Sequence, residues 1–373
     1  MMKKGVLLAV FLVNVVLIQS KVLGDKIQQV SFIGENKNTS IRPLSKILGN
    51  EICGDDSFTG ICLDANECDV RGGSSNGQCW NNDICCKITA HCLSNSNPCV
   101  IRHSGTVVVN ENGTSDYRRA YRYVKAENIC QLRLDFDEFE LTQPEFNGDC
   151  NNDLMQVISS RAGFGICGSN SHQHIYLNYD SRSYIDISMR IRSVDAKYRI
   201  RSTFIECNSE MLAPVNCLQY FYDLDGSVKS LNAGQQQLNN LDYSICVASY
   251  EGVSRIRWKS CQDNPFFISG SGVGPLESPG CNRDWVQIYG FDRYCGNGFN
   301  TVTITAPSDP SQCNGQPITD PYTGGTFVCA VDGTDPPTCT CIFFPPTTVP
   351  PFDPTRDIDA SNTGFCLEYE QLW

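Results

Sequence analysis

The sequence predicts an all-β protein. Apolar and polar residues alternate strictly over residues 132–137 and 185–192, and this period of two is typical of half-buried strands. Residues 198–205, 256–259 and 301–304 have similar patterns. The sequence contains no convincing amphipathic helix of more than a few turns, so the predicted class rests on the strands.

An internal repeat indicates the number of strand-rich units. The segment GDCNNDLMQVISSRAGFGICG at 148–168 has a counterpart, GCNRDWVQIYGFDRYCG, at 280–296. Both contain Cys, two residues, Asp, an apolar stretch with one Gln, and then Cys-Gly. The two aspartates, Asp153 and Asp284, are separated by about the length of one sandwich domain. The repeat therefore predicts a duplicated domain.

The start of the chain predicts a secretory signal. Lys3 and Lys4 precede an uncharged run from Gly5 to Ser20, and the sequence becomes polar soon afterwards. We interpret residues 1–24 as a signal peptide, with cleavage after Ser20 or Gly24; a signal anchor is the alternative. No second hydrophobic span follows, so we expect a secreted, extracellular protein with no membrane span after signal removal.

Cysteine content and charge agree with that compartment. All 22 cysteines lie beyond the signal, and we expect most of them to form disulfides in an oxidising environment. Asn38 and Asn112 begin glycosylation sequons. The formal net charge of −12 argues against a nucleic-acid partner.

A polar linker is predicted at 25–50, and a small disulfide-rich module follows at 51–92. Its cysteines stand at positions 53, 62, 68, 79, 85 and 86, ending in an adjacent pair. The segment GICLDANECDVRGGSSNGQCWNNDICCK resembles the clip module of secreted arthropod proteins. The resemblance implies the pairs Cys53–Cys85, Cys62–Cys79 and Cys68–Cys86.

The two strand-rich units, 99–207 and 217–373, resemble CUB domains. The first unit carries Leu-Asp-Phe-Asp-Glu-Phe-Glu-Leu at 134–141, then Cys-x-x-Asp and Cys-Gly, while the second ends on Gly364-Phe365-x-x-x-Tyr369. The first unit lacks that last motif. The resemblance implies two antiparallel, jelly-roll-like β-sandwiches. Together with the clip-like module, the chain is similar to secreted clip-plus-tandem-CUB proteins of insects and crustaceans.

The repeated frame predicts two disulfides. We expect Cys150 to pair with Cys167 and Cys281 with Cys295, because each pair closes the ends of a hairpin around a core strand. A disulfide that closes a loop of this size stabilises the folded state by roughly 3 kcal/mol. We also expect Cys99 to pair with Cys130. The remaining cysteines of these units stay unassigned, at positions 207, 217, 246, 261, 313, 329, 339, 341 and 366.

A proline-rich insertion is predicted around 313–354 of the second unit. Its prolines cannot donate to a strand ladder, so we expect a surface excursion. Phe343 and Phe344 lie between prolines, and they either pack on their own domain or contact a partner. Cys339 and Cys341 suggest two separate bridges in preference to a redox or metal site.

The sequence argues against an enzyme. Clip modules often precede serine proteases, but this chain has only four histidines and no Gly-Asp-Ser-Gly nucleophile context. His172 and His174 would share one face of a strand and bind a metal there, but no third ligand is identifiable. We interpret them as exposed loop histidines.

Arginines cluster in the first unit. Arg190 and Arg192 share one strand face, as do Arg199 and Arg201, and three others lie nearby at positions 118, 119 and 122. A basic face can hold sulfated glycans or acidic partners. The simpler interpretation is a solvated outer sheet face.

Acidic loops suggest a possible cofactor, Ca²⁺, which prefers several carboxylate oxygens. Many CUB domains carry such a site, and the candidate ligands in the second unit are Glu277, Asp284, Asp357 and Asp359. The first unit is a weaker candidate, because it keeps Asp153 but has Thr142 where the pattern has Glu. Solvated loop carboxylates are the alternative.

The sequence therefore predicts a secreted, non-enzymatic binding protein. Its CUB-like domains would recognise an extracellular protein or glycan. One alternative is a structural component of the extracellular matrix or cuticle. Another is a clip-type regulator of a protease cascade.

Overall fold

The computed structural model consists almost entirely of β-strands, as the sequence predicts. Its first strand is β1 (Val13–Ile18). The structure describes residues 13–18, 52–55, 58–79, 82–90, 98–110, 116–158, 163–248, 250, 253, 255–263, 266–268, 275–277, 281, 284–288, 293–305, 317–319, 326–331, 339–344 and 362–373.

The N-terminal module is a small sheet with one short helix. Its elements are β2 (Ile52–Asp55), β3 (Phe58–Leu63), α1 (Ala65–Val70), β4 (Ser74–Gln78) and β5 (Ile84–Thr89). The helix begins after Asp64, whose carboxylate accepts the Asn66 N–H at 2.9 Å. A Cβ at position 73 would lie 2.3 Å from Cys86 Sγ, so the crossing bridges require Gly73.

The module's bridges agree with the pairs that the clip resemblance implies. They are Cys53–Cys85, Cys62–Cys79 and Cys68–Cys86. Strand β5 continues beyond the module, where Ile88 and Thr89 pair in parallel with Thr106 and Val107 of the next unit. The module is therefore joined to the first sandwich by a continuous sheet.

The first sandwich packs a five-stranded sheet on a four-stranded one. Its strands are β6 (Cys99–Ile101), β7 (Thr106–Val109), β8 (Tyr117–Val124), β9 (Ile129–Glu140), β10 (Leu154–Ile158), β11 (Phe164–Ile166), β12 (His174–Asn178), β13 (Tyr184–Ile191) and β14 (Lys197–Glu206). The sheet orders are β11-β10-β13-β8-β6 and β12-β9-β14-β7. Leu134, Phe136, Met155 and Met189 are among the side chains of the buried core between them.

The second unit repeats this arrangement. Its strands are β15 (Cys217–Phe221), β16 (Asp225–Lys229), β17 (Tyr243–Val247), β18 (Arg255–Ser260), β19 (Phe267–Ile268), β20 (Pro275–Glu277), β21 (Val286–Ile288), β22 (Arg293–Asn297), β23 (Val302–Thr305), β24 (Pro317–Thr319), β25 (Thr326–Val331), β26 (Cys339–Phe344) and β27 (Cys366–Leu372). One sheet has the order β16-β27-β18-β23, and the other contains β15, β17, β21, β22, β19 and β20. Trp258, Phe266 and Phe365 are fully buried between the two.

Strand β1 lies in the second unit although its sequence predicts a signal. It pairs antiparallel with β17 on one side and with β21 on the other. In the first unit the corresponding place, between β8 and β10, belongs to β13. The signal itself stays a prediction about the precursor.

The predicted proline-rich insertion is not wholly an irregular excursion. Residues 317–344 contribute a three-stranded antiparallel sheet, β24-β25-β26. Phe343 and Phe344 belong to β26, but their side chains, and those of Cys313, Cys329 and the Cys339–Cys341 pair, lie outside the described residues.

Both disulfides predicted from the repeated frame are present. Cys150–Cys167 closes the β10–β11 hairpin, and Cys281–Cys295 closes the β21–β22 hairpin. Two unassigned pairs are Cys217–Cys246 and Cys261–Cys366.

The predicted pair Cys99–Cys130 is wrong. Cys130 is bonded to Cys207, with their Cα atoms 4.8 Å apart. The start of β9 and the end of β14 are hydrogen-bonded neighbours, since Ile129 pairs with Glu206. This register brings the two cysteines together across 77 residues of sequence. Cys99 forms a different disulfide.

Candidate functional site

Asp153, the aspartate of the first frame, is surrounded by hydrogen-bond donors. It is 1% exposed. One carboxylate oxygen accepts the backbone N–H of Thr142 at 3.0 Å and its hydroxyl at 2.6 Å. The other accepts the N–H groups of Arg192 at 2.7 Å and Ser193 at 3.0 Å. The loops after β9 and β13 are thus anchored on one carboxylate.

Two arginines also hold the loop between β9 and β10. Arg190 donates to the carbonyl oxygens of Cys150 at 2.9 Å and Asn152 at 3.2 Å, and Arg192 donates to that of Asn151 at 3.4 Å. A cation bound beside Asp153 would need these carbonyl oxygens as ligands. The weaker metal prediction for the first unit does not fit this arrangement, because protein donors already satisfy the carboxylate and the two arginines occupy the neighbouring carbonyl oxygens.

We expect Asp153→Asn to destabilise the first unit. Burial alone would raise the pKa of Asp153, but its hydrogen bonds lower it. Its stabilising contribution is therefore present above the usual carboxyl pKa and is lost as the pH falls through the lowered value. Hydrogen bonds to a charged acceptor contribute about 1.5–3 kcal/mol each, so the substitution should cost about 2–3 kcal/mol at pH 7.

The measurement is thermal or denaturant unfolding at pH 7 and at acidic pH. The difference between wild type and Asp153→Asn should shrink at the lower pH. The exposed Asp195 provides a control, because Asp195→Asn should stay within about 0.5 kcal/mol. An equal cost for both variants would contradict the role of Asp153 as an anchor.

The second unit does not bring Glu277 beside Asp284. Glu277 is exposed and pairs with Tyr294 of β22. Val286 pairs with Tyr294 from the other side, and Asp284 lies two positions before Val286. One whole strand therefore separates the two acids, on the order of 10 Å at the usual strand spacing. Glu277 instead accepts a weak hydrogen bond from Asn300 at 3.5 Å.

The remaining candidate ligands of the second unit, Asp357 and Asp359, lie outside the described residues. The same is true of the sequons at Asn38 and Asn112. Asp284 itself is half-buried two positions before β21, whereas Asp153 directly precedes β10.

The two predicted loop histidines have different surroundings. His172 is exposed in a turn with a φ of 66°, as predicted. His174 is not exposed: it is 8% accessible in β12, and Nε2 lies 3.0 Å from the Tyr220 carbonyl oxygen and 3.2 Å from the N–H that Tyr220 donates. Burial, aided by Arg133, lowers the pKa of His174 to about 3. The His174 imidazole is therefore neutral and contacts the second unit. It does not form a metal site with His172.

Among the described residues, one group of three potential metal ligands is close enough to share an ion. It comprises Cys53, Cys62 and Cys79. All three are in disulfides, so none offers the thiolate that a metal requires.

A buried ion network lies beside the junction between the two units. Arg133 donates to Asp135 at 2.7 Å and to the Tyr176 hydroxyl at 2.7 Å, and Arg201 pairs with Asp135 and Asp137. Arg133 and Arg201 are 3% and 6% exposed. Burial would raise the pKa of Asp135, but the two arginines lower it. The expectation of a solvated face is therefore wrong for Arg201.

Further contacts hold the units together. Gln131 and Ala213 exchange hydrogen bonds at 2.7 and 2.8 Å. Asn232 accepts from the N–H of Ser169 at 2.8 Å and donates its own N–H to the Asn170 side chain at 2.7 Å. Together with the His174 contact, these bonds fix the orientation of one sandwich on the other.

The outer face of the five-stranded sheet is the candidate functional site. Arg118 of β8 stands directly opposite Arg190 of β13, and Arg192 follows two positions along. We call Arg118, Arg190 and Arg192 the arginine cluster. Arg122, on the same face, is neutralised by Asp186 through two hydrogen bonds of 2.7 Å. Arg119 points the other way, over the Tyr117 ring at 4.6 Å.

Asp153 acts electrostatically on Arg190, but its carboxylate is already engaged in four hydrogen bonds. Among the described residues, no carboxylate forms an ion pair with Arg118, Arg190 or Arg192. Partial burial, Arg192 and Arg118 lower the pKa of Arg190, while Asp153 opposes that effect. Like charges placed directly opposite on a sheet are destabilising. The cluster is therefore a place where an anion would be stabilised.

Comparisons with known proteins identify the second unit. Residues 214–372 match the family model of the animal CUB domain. This part of the chain is a CUB domain. Among curated proteins, none matches the chain.

The chain is also similar to several solved structures. The CUB1-EGF-CUB2 domains of rat MASP-1 are 11% identical with a TM-score of 0.23, covering 73% of this chain and 99% of that one. The MASP-1 CUB2 domain bound to Ca²⁺ is 14% identical with a TM-score of 0.22, covering 27% and 96%. The full extracellular region of zebrafish Gpr126/Adgrg6 is 10% identical with a TM-score of 0.24, covering 74% and 37%.

Sequence reasoning found the arginines but not their arrangement. The alternation of β13 placed Arg190 and Arg192 on one face, while the pairing with Arg118 depends on the β8–β13 register.

Within the part of the chain that the structure describes, no helix is long and apolar enough to cross a membrane.

Proposed function

We propose that the chain is a secreted, non-enzymatic binding protein that recognises an extracellular ligand. The CUB domain at 214–372 supports this proposal, because CUB domains are extracellular binding modules. The disulfides support secretion, since bridges of this density persist in oxidising compartments. We treat 99–207 as a second CUB-like unit because its β12-β9-β14-β7 sheet has the same order as the β23-β18-β27-β16 sheet of the CUB domain.

The observation that carries the proposal is the unpaired arginine cluster on an exposed sheet face. A recognition surface needs side chains held in fixed positions on a rigid scaffold. Here the Cys150–Cys167 disulfide and the Asp153 anchor hold the loop to which Arg190 and Arg192 are bonded. The test is to secrete the full chain from cultured cells, determine its N-terminus, and screen it on arrays of glycans and extracellular proteins.

The expected result is a chain beginning after residue 20 or 24 that binds at least one saturable ligand. Retention in the cell, or the absence of any ligand on either array, would contradict the proposal. A protein recovered only by dissolving matrix or cuticle would favour the structural alternative.

We expect no covalent labelling of a serine by a fluorophosphonate probe. The sequence offers no nucleophile with a recognisable general base, and His174, the buried histidine, is engaged with the Tyr220 backbone. Labelling is read by intact mass, with a heat-denatured sample as the control. Stoichiometric modification of the native chain would contradict the non-enzymatic proposal.

The calcium prediction belongs to the CUB domain. With Asp284, Asp357 and Asp359 as ligands, the full chain should melt at a higher temperature in millimolar Ca²⁺ than in chelator, because an ion that binds the folded state stabilises it. Asp284→Asn should abolish that gain. Asp153→Asn is the matched variant and should retain it, because Asp153 is satisfied by protein donors. Equal melting temperatures in calcium and chelator would dismiss the site.

A further inference from the structure

The arginine cluster lies beside a row of small or polar side chains on the outer face of the first sandwich, which we call the trough. Ala120, Ser188, Gln156 and Gly165 are direct neighbours on four successive strands, β8, β13, β10 and β11. At the usual strand spacing this row spans about 14 Å. Ala120 and Ser188 are small, so the row is lower than the arginines over β8 and β13, while the exposed Gln156 and the Leu154 side chain over Gly165 bound it on the other strands.

The far side of the trough also has a defined composition. Arg122, Asp186 and Ile158 form the next row across the same strands. Arg122 covers the Tyr184 ring at 4.1 Å and is neutralised by Asp186. The trough therefore has one cationic edge, the arginine cluster, and one edge without free charge.

Arg118 and Arg192 are the members of the cluster whose donors suit an oxyanion, and Arg190 adds a fixed positive charge. Arg190 uses its Nε and one Nη to hold the backbone of residues 150–152, which fixes the guanidinium in place. Arg118 and Arg192 are exposed and extend the charge along the edge. Guanidinium groups bind oxyanions through paired hydrogen bonds, which gives geometric specificity in addition to charge.

The floor of the trough favours a polar, extended ligand over a protein. Protein interfaces depend on large aromatic or apolar anchors that are fully desolvated in a pocket. The row of Ala120, Ser188, Gln156 and Gly165 provides no such anchor. The net charge of −12 also opposes non-specific attraction of a polyanion, so any binding would have to depend on a local cluster.

We infer that the arginine cluster and the trough bind a sulfated glycan, with sulfate groups on Arg118 and Arg192, the charge of Arg190 between them, and the sugar chain along the trough. This rests on the proposed function of extracellular recognition and specifies its ligand class. Sulfate esters give the polymer its anionic groups at intervals, and the exposed arginines provide the matching donors.

The test uses the full secreted chain and heparin, with desulfated heparin and polyglutamate as probes of charge type. The chain should bind heparin, and neither other polymer should compete at equal charge. Arg118→Gln should weaken binding about tenfold, as expected for the loss of one charge-assisted hydrogen bond. In the described part of the chain Arg118 forms no ion pair and stands opposite another arginine, so this variant should melt no lower than wild type.

Arg255→Gln is the matched control, since Arg255 is an exposed arginine of a CUB-domain strand and the change in net charge is the same. It should bind heparin like wild type. Equal weakening by both variants, equal binding of desulfated heparin, or competition by polyglutamate would overturn the inference. A ligand that is a protein or an unsulfated glycan would overturn it while leaving the proposed function standing, whereas no ligand at all would refute both.

Discussion

Asp135→Asn should lower the free energy of unfolding by about 3–5 kcal/mol, the range expected when one partner of a buried ion pair is removed. Asp135 is the only carboxylate among the described residues that pairs with Arg133, whose side chain is 4% exposed. It also pairs with Arg201. The substitution keeps the shape of the side chain but leaves Arg133 charged and uncompensated in the interior.

The control for this prediction is Asp186→Asn. Asp186 pairs with Arg122 on the outer face, where the two side chains are 20% and 33% exposed. Exposed pairs of this kind contribute up to about 1 kcal/mol. Denaturant unfolding of the full chain measures both variants. If Asp135→Asn costs no more than Asp186→Asn, the network does not support the junction in the way that its burial indicates.

Removing the Cys130–Cys207 disulfide by a double substitution with alanine should cost about 4 kcal/mol, because the bridge closes a long loop in the unfolded chain. The two cysteines are separated by 77 residues. The bridge ties the start of β9 to the end of β14, immediately before the segment that leads into the CUB domain. We expect this loss of stability to appear in the unfolding transition of the first unit.

The shorter Cys281–Cys295 bridge provides the comparison. Its sequence separation of 14 predicts a loss of about 3 kcal/mol when both cysteines are replaced. Peptide mapping without reduction should recover Cys130 joined to Cys207. A Cys99–Cys130 peptide, or a smaller loss for the long loop than for the short one, would contradict the assignment.

The predictable parts of the fold are those specified by local patterns. Alternation of apolar and polar residues located β9 and β13, and the spacing of each repeated frame specified the hairpin disulfides, because two strands joined by a tight connection bring their ends together. Cys130 was assigned wrongly because its partner arrives through the pairing of β9 with β14, a contact between distant parts of the sequence.

Burial at the junction could not be read from the sequence. Arg199 and Arg201 alternate like residues of one solvated face, but Arg201 is buried and pairs with the half-buried Asp135 and Asp137. Asp153 was correctly singled out by its repeated position. Its role as an anchor for Thr142, Arg192 and Ser193 depends on two loops that only the strand order places side by side.

The central claim is that the arginine cluster is the ligand site. Arginine footprinting of the full secreted chain, with and without a heparin oligosaccharide, tests this claim most directly. Modification by an arginine-selective dicarbonyl is followed by mass spectrometry. Bound ligand should slow the modification of Arg118 and Arg192 and leave that of Arg255 in the CUB domain unchanged. Protection of Arg255 with no change at Arg118 and Arg192 would place the ligand elsewhere and contradict the account.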